Sequence, residues 1–314
     1  MARTAIVTFE GEADRRIAGI PWAARVAREL ADAGYERLVL PPLRAETLDE
    51  IARVAPGVSV EESDEGDAII VSPPSEAEIL RRTGKPTDGP ISRLFNRPVS
   101  QLISRMLLRF PGVRPVHVTL AAAALALAMF WALIAGGATG LVVAGLLFHA
   151  ASVVDGVDGE IARATFRATR SGAILDSSVD VATTLLFIVG LTVHLAARGD
   201  ALVLPMAAWG ISLFLLGLLV ICWQGARRTG PFNFNYLKRH YRERVTGRWM
   251  PKVIAALTIY TSRDFYALYF AILILVGLPL AVIGIFALAA SIWILFVIGS
   301  IGFGPAPDAA YAER

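Results

Sequence analysis

The chain has 314 residues, 55% of them apolar, with a mean hydropathy of +0.57 and a formal net charge of +3. Several apolar runs of bilayer length exclude a soluble globular protein and give the sequence the composition of a membrane protein. A single cysteine, Cys222, excludes a disulfide framework or a thiolate zinc cluster within one chain, and the four histidines, His117, His149, His194 and His240, lack metal-ligand spacing.

The first 90 residues carry 17 Asp+Glu against 11 Lys+Arg, no long apolar run and no secretory signal pattern, so a cytosolic domain is expected there. TAIVTF reads as a strand, and PWAARVARELADAG as a helix with Pro21 near its start and Gly34 after its end. ERLVLPP is a second strand, AETLDEIARVA a second helix, and VSVEE and DAIIVSPP further strands. This alternation predicts a small α/β domain with a parallel sheet over residues 1–75.

Residues 76–114 form a basic linker. Within it Leu94, Phe95, Val99, Leu102, Ile103 and Met106 fall on one side of a helix, with Arg93, Arg97, Arg105 and Arg109 beside them. That is the pattern of an interfacial amphipathic helix. Residues 115–304 are then expected to hold six transmembrane helices, at about 117–136, 140–162, 174–197, 201–223, 264–278 and 280–302, before a cytosolic tail over 305–314. The fifth span is short as drawn, with Val253 as an earlier start. Arg-rich connections alternate with nearly uncharged loops, so the positive-inside rule places both termini in the cytoplasm of a multi-pass inner-membrane protein.

Residues 91–314 contain only 10 acidic residues, and five of them (Asp155, Asp158, Glu160, Asp176, Asp180) fall within 26 positions. An aspartate at the centre of a transmembrane helix costs roughly 2.5 to 3.5 kcal/mol, less near its ends. At about 100° per residue, Asp155, Asp158 and Ala162 share one face of the second span, and Asp176 and Asp180 one face of the third. Four carboxylates brought together would repel unless cations neutralised them. A pair of divalent ions fits, and oxygen-only ligands favour Mg²⁺, Mn²⁺ or Ca²⁺ over zinc. Gly159 and Gly172 remove side chains where a flat ligand or a neighbouring helix must come close.

The spacing D155-x-x-D158-G159-x-x-A162-R163, eight residues, then G172-x-x-x-D176-x-x-x-D180 resembles the signature of the CDP-alcohol phosphotransferase family at all eight fixed positions. The resemblance covers roughly residues 85 to 302. It implies a transferase that moves a phospho-alcohol group from a CDP-alcohol to an acceptor alcohol and releases CMP. It also implies a two-metal site on Asp155, Asp158, Asp176 and Asp180, with Mg²⁺ as the usual ion and Mn²⁺ as a substitute. Asp180 would be the general base, and Gly159, Ala162, Arg163 and Gly172 would line the CDP pocket. Ahead of the first span, RPVHVT is similar to a family pattern in which Pro-Asn-x-x-Thr introduces that helix: Pro115 and Thr119 match and Val116 departs, leaving Thr119 a further pocket candidate.

KPTDGPISRLFNRPVS and TSRDFYALYF resemble a branch of that family with an N-terminal cytosolic extension, which includes di-myo-inositol-phosphate-phosphate synthases. CDP-inositol is then one expected donor and a polyol or polyol phosphate the acceptor. The alternative is synthesis of phosphatidylinositol phosphate or another phospholipid from CDP-diacylglycerol. For an acceptor phosphate, Arg227, Arg228 and Arg263 are the candidate cations. The resemblance further implies a homodimer in the lipid bilayer, with no nucleic-acid partner. GIPWAARVARELADAGYERLVL is similar to a sugar-phosphate nucleotidyltransferase segment, but EGEADRRIAG replaces the expected Gly-rich basic loop and no lysine precedes Lys85, which suggests a reduced, non-catalytic domain. An ion-coupled transporter is the rival of another class, since intramembrane carboxylates also mark ion pathways. The acids lie near one membrane face, and no inverted repeat accompanies them.

Overall fold

A computed structural model describes residues 3–63, 69–84, 88–227 and 262–302. The chain divides into two compact units, one of Met1–Asp88, Arg97–Thr119 and Val154–Leu175, the other of Gly89–Asn96, Leu120–Val153 and Asp176–Arg314.

The first unit begins with a parallel sheet. Strands β1 (Thr4–Phe9), β4 (Arg37–Leu40), β5 (Ser59–Glu62) and β6 (Ile69–Val71) lie in the order β5-β4-β1-β6, with Thr4 opposite Arg37, Arg37 opposite Ser59 and Val7 opposite Ile69. In β1, alternation places Ala5 and Val7 inward. Helix α1 (Trp22–Asp32) starts directly after Pro21, and Gly34 takes the left-handed conformation (φ +84°) that follows its end. Its buried stripe of Trp22, Ala23, Ala24, Val26 and Ala27 packs with Leu38, Leu40 and Ile51, the last from α2 (Ala45–Val54). Two elements had no counterpart in the sequence reading. One is a hairpin, β2 (Arg16–Ile17) and β3 (Ile20–Pro21), which turns through Ala18 and Gly19 at φ +47° and +87°, so both central residues are left-handed. The other is α3 (Glu76–Arg82), where the Ser75 hydroxyl accepts from the Glu78 amide as an N-cap.

Helix α4 (Arg97–Leu107) reverses the distribution of a soluble helix. Ser100 and Ser104 are buried, while Val99, Leu102 and Met106 are exposed. Ile103, predicted with the outer residues, instead packs with Val118, Val157 and Ile161. The start of α5 (Pro115–Ala135), the end of α6 (Gly137–Ala164) and the start of α7 (Arg170–Ala196) complete this unit.

The second unit holds the rest of those three helices, a widened helical turn at Ser92–Asn96, α8 (Val203–Arg227), α9 (Arg263–Leu275) and α10 (Pro279–Gly299). Phe148 and Phe187 stack at its centre, ring centroids 4.0 Å apart and planes 2° from parallel. Glycines set how closely α8 meets α10: a Cβ on Gly210 would fall 2.9 Å from the Ala287 Cα, and one on Gly217 would overlap the Trp293 ring. Large apolar side chains such as Leu127, Trp131, Trp209, Leu219 and Leu295 are exposed, as expected where lipid is the solvent.

Among the described residues five helices are long and apolar enough to cross a membrane: α5, α6, α7, α8 and α10. The chain is a multi-pass membrane protein with a small N-terminal α/β region. The predicted fifth span, 264–278, corresponds to α9, whose 13 residues fall short of a crossing. Its earlier candidate start at Val253 lies outside the described residues.

Candidate active site

The end of α6 places Asp155 half-buried and Asp158 buried, three residues and therefore about 60° apart around the helix. The Thr119 hydroxyl donates to Asp158 Oδ2 at 2.5 Å and also lies 3.3 Å from the Pro115 carbonyl. Thr119 thus orients a motif carboxylate, beyond any part in starting α5. Gly159 is bare for a local reason: a Cβ there would lie 3.0 Å from Arg163 Nη1 and 3.2 Å from Nη2, so the guanidinium spreads over the glycine backbone. Arg163 Nε donates to the Thr83 carbonyl at 2.7 Å. Ala162 is half-buried in the turn between them and the helix end. Gly172 stands near the start of α7, where its amide donates to Thr169 Oγ1 at 3.0 Å, and a Cβ would press on that hydroxyl at the same distance.

The acid the sequence reading left without a task is Glu160. It lies about 160° around α6 from Asp158 and is fully buried. Arg97 Nη1 donates to Glu160 Oε1 at 2.7 Å, Ser100 Oγ to the same oxygen at 2.6 Å, and Ser104 Oγ to Oε2 at 2.6 Å. Arg97 also meets Asp88 Oδ2 at 2.8 Å. A carboxylate so saturated is a fastener between α4 and α6. Its signal was present in the sequence: polar residues at 97, 100 and 104 recur at helical spacing along one side of α4.

On α7, Asp176 and Asp180 are half-buried, and one carboxylate oxygen of each lies within 4.8 Å of the other. A hard cation with oxygen ligands at about 2.0–2.6 Å could span that separation, and a donor set of carboxylates suits Mg²⁺ or Mn²⁺. Arg263, at the start of α9, forms an ion pair with the Asp180 carboxylate. Thr184 Oγ1 donates to the Asp180 carbonyl at 3.0 Å and lies 3.1 Å from the Tyr266 hydroxyl. Next to Arg263, Asp264 accepts from Asn96 Nδ2 at 2.8 Å and Ser152 Oγ at 3.2 Å, which fixes the start of α9. Of the three candidate phosphate cations, only Arg263 can be placed: Arg228 and the side chain of Arg227 lie outside the described residues.

Comparison with known proteins converges on the same region. The CDP-alcohol phosphatidyltransferase family profile matches residues 113–297, more than half of the chain and a range that contains the whole Asp155–Asp180 motif. The chain belongs to the CDP-alcohol phosphatidyltransferase family. Among curated relatives, it is 35% identical over 145 residues to the bifunctional IPC transferase and DIPP synthase of Aquifex aeolicus, covering 46% of this chain and 31% of that protein. The protein of the same name from Rubrobacter xylanophilus is 37% identical over 153 residues, 49% of this chain and 33% of that protein. That from Archaeoglobus fulgidus is 37% identical over 105 residues, covering 32% and 19%. The matches therefore span at most about a third of these relatives' length.

Proposed function

We propose that this protein is a divalent-metal-dependent CDP-alcohol phosphotransferase of inositol-phosphate chemistry: it joins a phospho-alcohol group from a CDP-alcohol, CDP-inositol foremost, to a polyol or polyol-phosphate acceptor and releases CMP. The observation that carries the reading is the complete motif, with two aspartates on one face of each of two consecutive helices. The name that the relatives share, bifunctional IPC transferase and DIPP synthase, supports the inositol branch over CDP-diacylglycerol chemistry.

Asp155, Asp158, Asp176 and Asp180 would hold the metal, which when bound supplies Lewis acidity toward the pyrophosphate and charge balance for four carboxylates. Thr119 holds Asp158 in one rotamer by its 2.5 Å hydrogen bond. Asp180 takes the proton of the incoming hydroxyl as the new oxygen–phosphorus bond forms and the bond to CMP breaks. Arg263, beside Asp180, is the cation for an acceptor phosphate. Arg163, whose Nη1 and Nη2 lie over Gly159, offers guanidinium N–H donors to a donor phosphate. The outward apolar side chains of α4 support its placement in the membrane surface. Six spans, cytoplasmic termini and a homodimer complete the proposal.

The test is CMP release by the purified full chain, with CDP-inositol or CDP-diacylglycerol offered against a panel of polyols and the product weighed. Release dependent on added Mg²⁺ or Mn²⁺ is the expected result; no release from any CDP-alcohol, with metal present, sinks the proposal.

A further inference from the structure

The α/β domain takes no part in the chemistry above, yet two of its arginines grip the chain just after the motif's Arg163. Arg25 on α1 is only 6% exposed. Its Nη2 donates to the Ala164 carbonyl at 2.7 Å and to the Ala18 carbonyl at 2.7 Å, and its Nε to Ile17 O at 2.9 Å. Arg53 on α2 donates from Nη2 to Thr165 O at 2.7 Å and from Nη1 to Phe166 O at 3.1 Å. Ala164 is the last residue of α6. Carbonyls at a helix end have no partner within the helix and carry the negative end of its dipole, so two cations fit there.

The grip is itself supported. Glu50 takes Arg53 in a two-point pair at 2.8 and 3.1 Å and draws in Arg167 at 3.7 Å. The Arg53 hydrogen bond holds the Glu50 carboxyl below its ordinary value. Burial pulls Arg25 down to about 10, which leaves it a cation at neutral pH. Phe166 adopts φ +52°, unusual for a bulky residue, with the guanidinium carbons of Arg25 and Arg28 at 5.8 and 6.0 Å from its ring centre. The β2–β3 hairpin closes the joint: a Cβ on Gly19 would fall 2.8 Å from Leu108 Cδ2 and 3.1 Å from Thr165 Cγ2. The segment that stands in place of a Gly-rich nucleotide loop is therefore shaped to seat against residue 165. Within the turn, the Arg167 amide donates to Ala162 O at 2.8 Å and the Phe166 amide to Arg163 O at 3.3 Å, which links the gripped carbonyls to the two motif residues.

We propose that the α/β domain is a positioning element for the donor pocket, in which Arg25 and Arg53, acting through the carbonyls of Ala164, Thr165 and Phe166, hold Ala162 and Arg163 in place for a CDP moiety. The proposal rests on the transferase reading given above. Both arginines act through the turn and neither serves as a catalytic residue.

Because Arg25 is buried, its loss risks unfolding the domain, so Arg53, about one-third exposed, carries the test. The probe is CDP with Mn²⁺, titrated calorimetrically into the full chain in detergent, beside hydrogen–deuterium exchange over residues 162–168. Arg53→Met is expected to weaken CDP binding about five- to tenfold and to speed exchange at residues 165–167. Arg53→Lys should recover part of both, and Arg37→Met, which removes an exposed pair with Glu61 on the same domain, neither. CDP binding equal to wild type in Arg53→Met, or unchanged exchange, overturns the positioning role. If binding responds to Arg53→Met but no CDP-alcohol yields CMP, the transferase reading fails while the positioning role stands. Absence of CDP binding by the wild-type chain overturns both.

Discussion

At the end of α6, Glu160 is fully buried with three donors at 2.6 to 2.7 Å, whereas Asp155 on the same helix end and Asp176 and Asp180 at the start of α7 remain half-buried. Both stretches place acids close to membrane-spanning segments, where an uncompensated charge is expensive. The difference separates two uses of charge. An acid that fastens helices can be saturated by its own chain and shut away from solvent, because nothing further has to reach it. An acid that must receive a proton, the role proposed for Asp180, has to keep an open side, and the neighbouring Arg263 tempers its charge.

The comparison breaks first at Asp180. Asp180→Asn removes the proton acceptor while keeping the size of the side chain, and CMP release at saturating metal should fall by about 10² to 10⁴-fold. A variant that keeps more than a third of wild-type turnover would move the base role elsewhere. Glu160 is the opposite case. Glu160→Ala leaves Arg97 and two hydroxyls facing a cavity, and breaking a buried charge pair costs about 3–5 kcal/mol. The expected readout is a large drop in thermal unfolding temperature in detergent, with a smaller drop for Glu160→Gln. If Glu160→Ala melts like wild type but loses metal dependence, the division between fastening and reacting acids is wrong.

How much of this was legible in the sequence depends on the separation of the partners. Helices α5 to α8 and α10 announce themselves by apolar length, and the carboxylate faces of α6 and α7 follow from intervals of three and four residues. The β2–β3 hairpin went unseen because its turn uses Ala18 where Asn or Asp before Gly would have signalled it. α3 was missed because seven residues at a helical spacing give too little periodicity to stand out. Partnerships were hidden for another reason. Ser100 and Glu160 are 60 positions apart, and Arg25 and Ala164 are 139 apart, so only the folded chain brings them together. Arg25 and Arg53 read as ordinary helix-surface charges until the carbonyls they hold are known.

Thr119 sharpens the comparison from the side of the reacting acids. Its hydroxyl reaches a motif aspartate, Asp158, from another helix of the same unit. A hydrogen bond to a charged group contributes about 1.5–3 kcal/mol. In Thr119→Val the half-saturating Mg²⁺ concentration for CMP release is therefore expected to rise about tenfold, at nearly unchanged turnover once metal is in excess. A fall in turnover with no change in metal requirement would place Thr119 at the donor itself, as a pocket residue.

The smallest effect expected is a pH dependence of the grip on residues 164–166. Glu50 titrates below its ordinary value of 4.5 in the folded chain, chiefly because Arg53 donates to it, with burial opposing. A carboxyl with a lowered folded value binds fewer protons folded than unfolded. Its contribution is thus complete above the ordinary value and is lost as pH falls through the folded one. Exchange at residues 165–167 should therefore be flat between neutral pH and the ordinary carboxyl value, after correction for intrinsic rates, and rise only as pH falls below that value. In Glu50→Gln the acid-dependent rise should vanish, with exchange already faster at neutral pH. Since Glu50 is partly open to solvent and exposed ion pairs contribute little, the change should stay near the lower limit of detection, far below that of Arg53→Met. An acid-dependent rise that persists in Glu50→Gln would assign the titration to another carboxylate and leave Arg53 to hold the turn without help from Glu50.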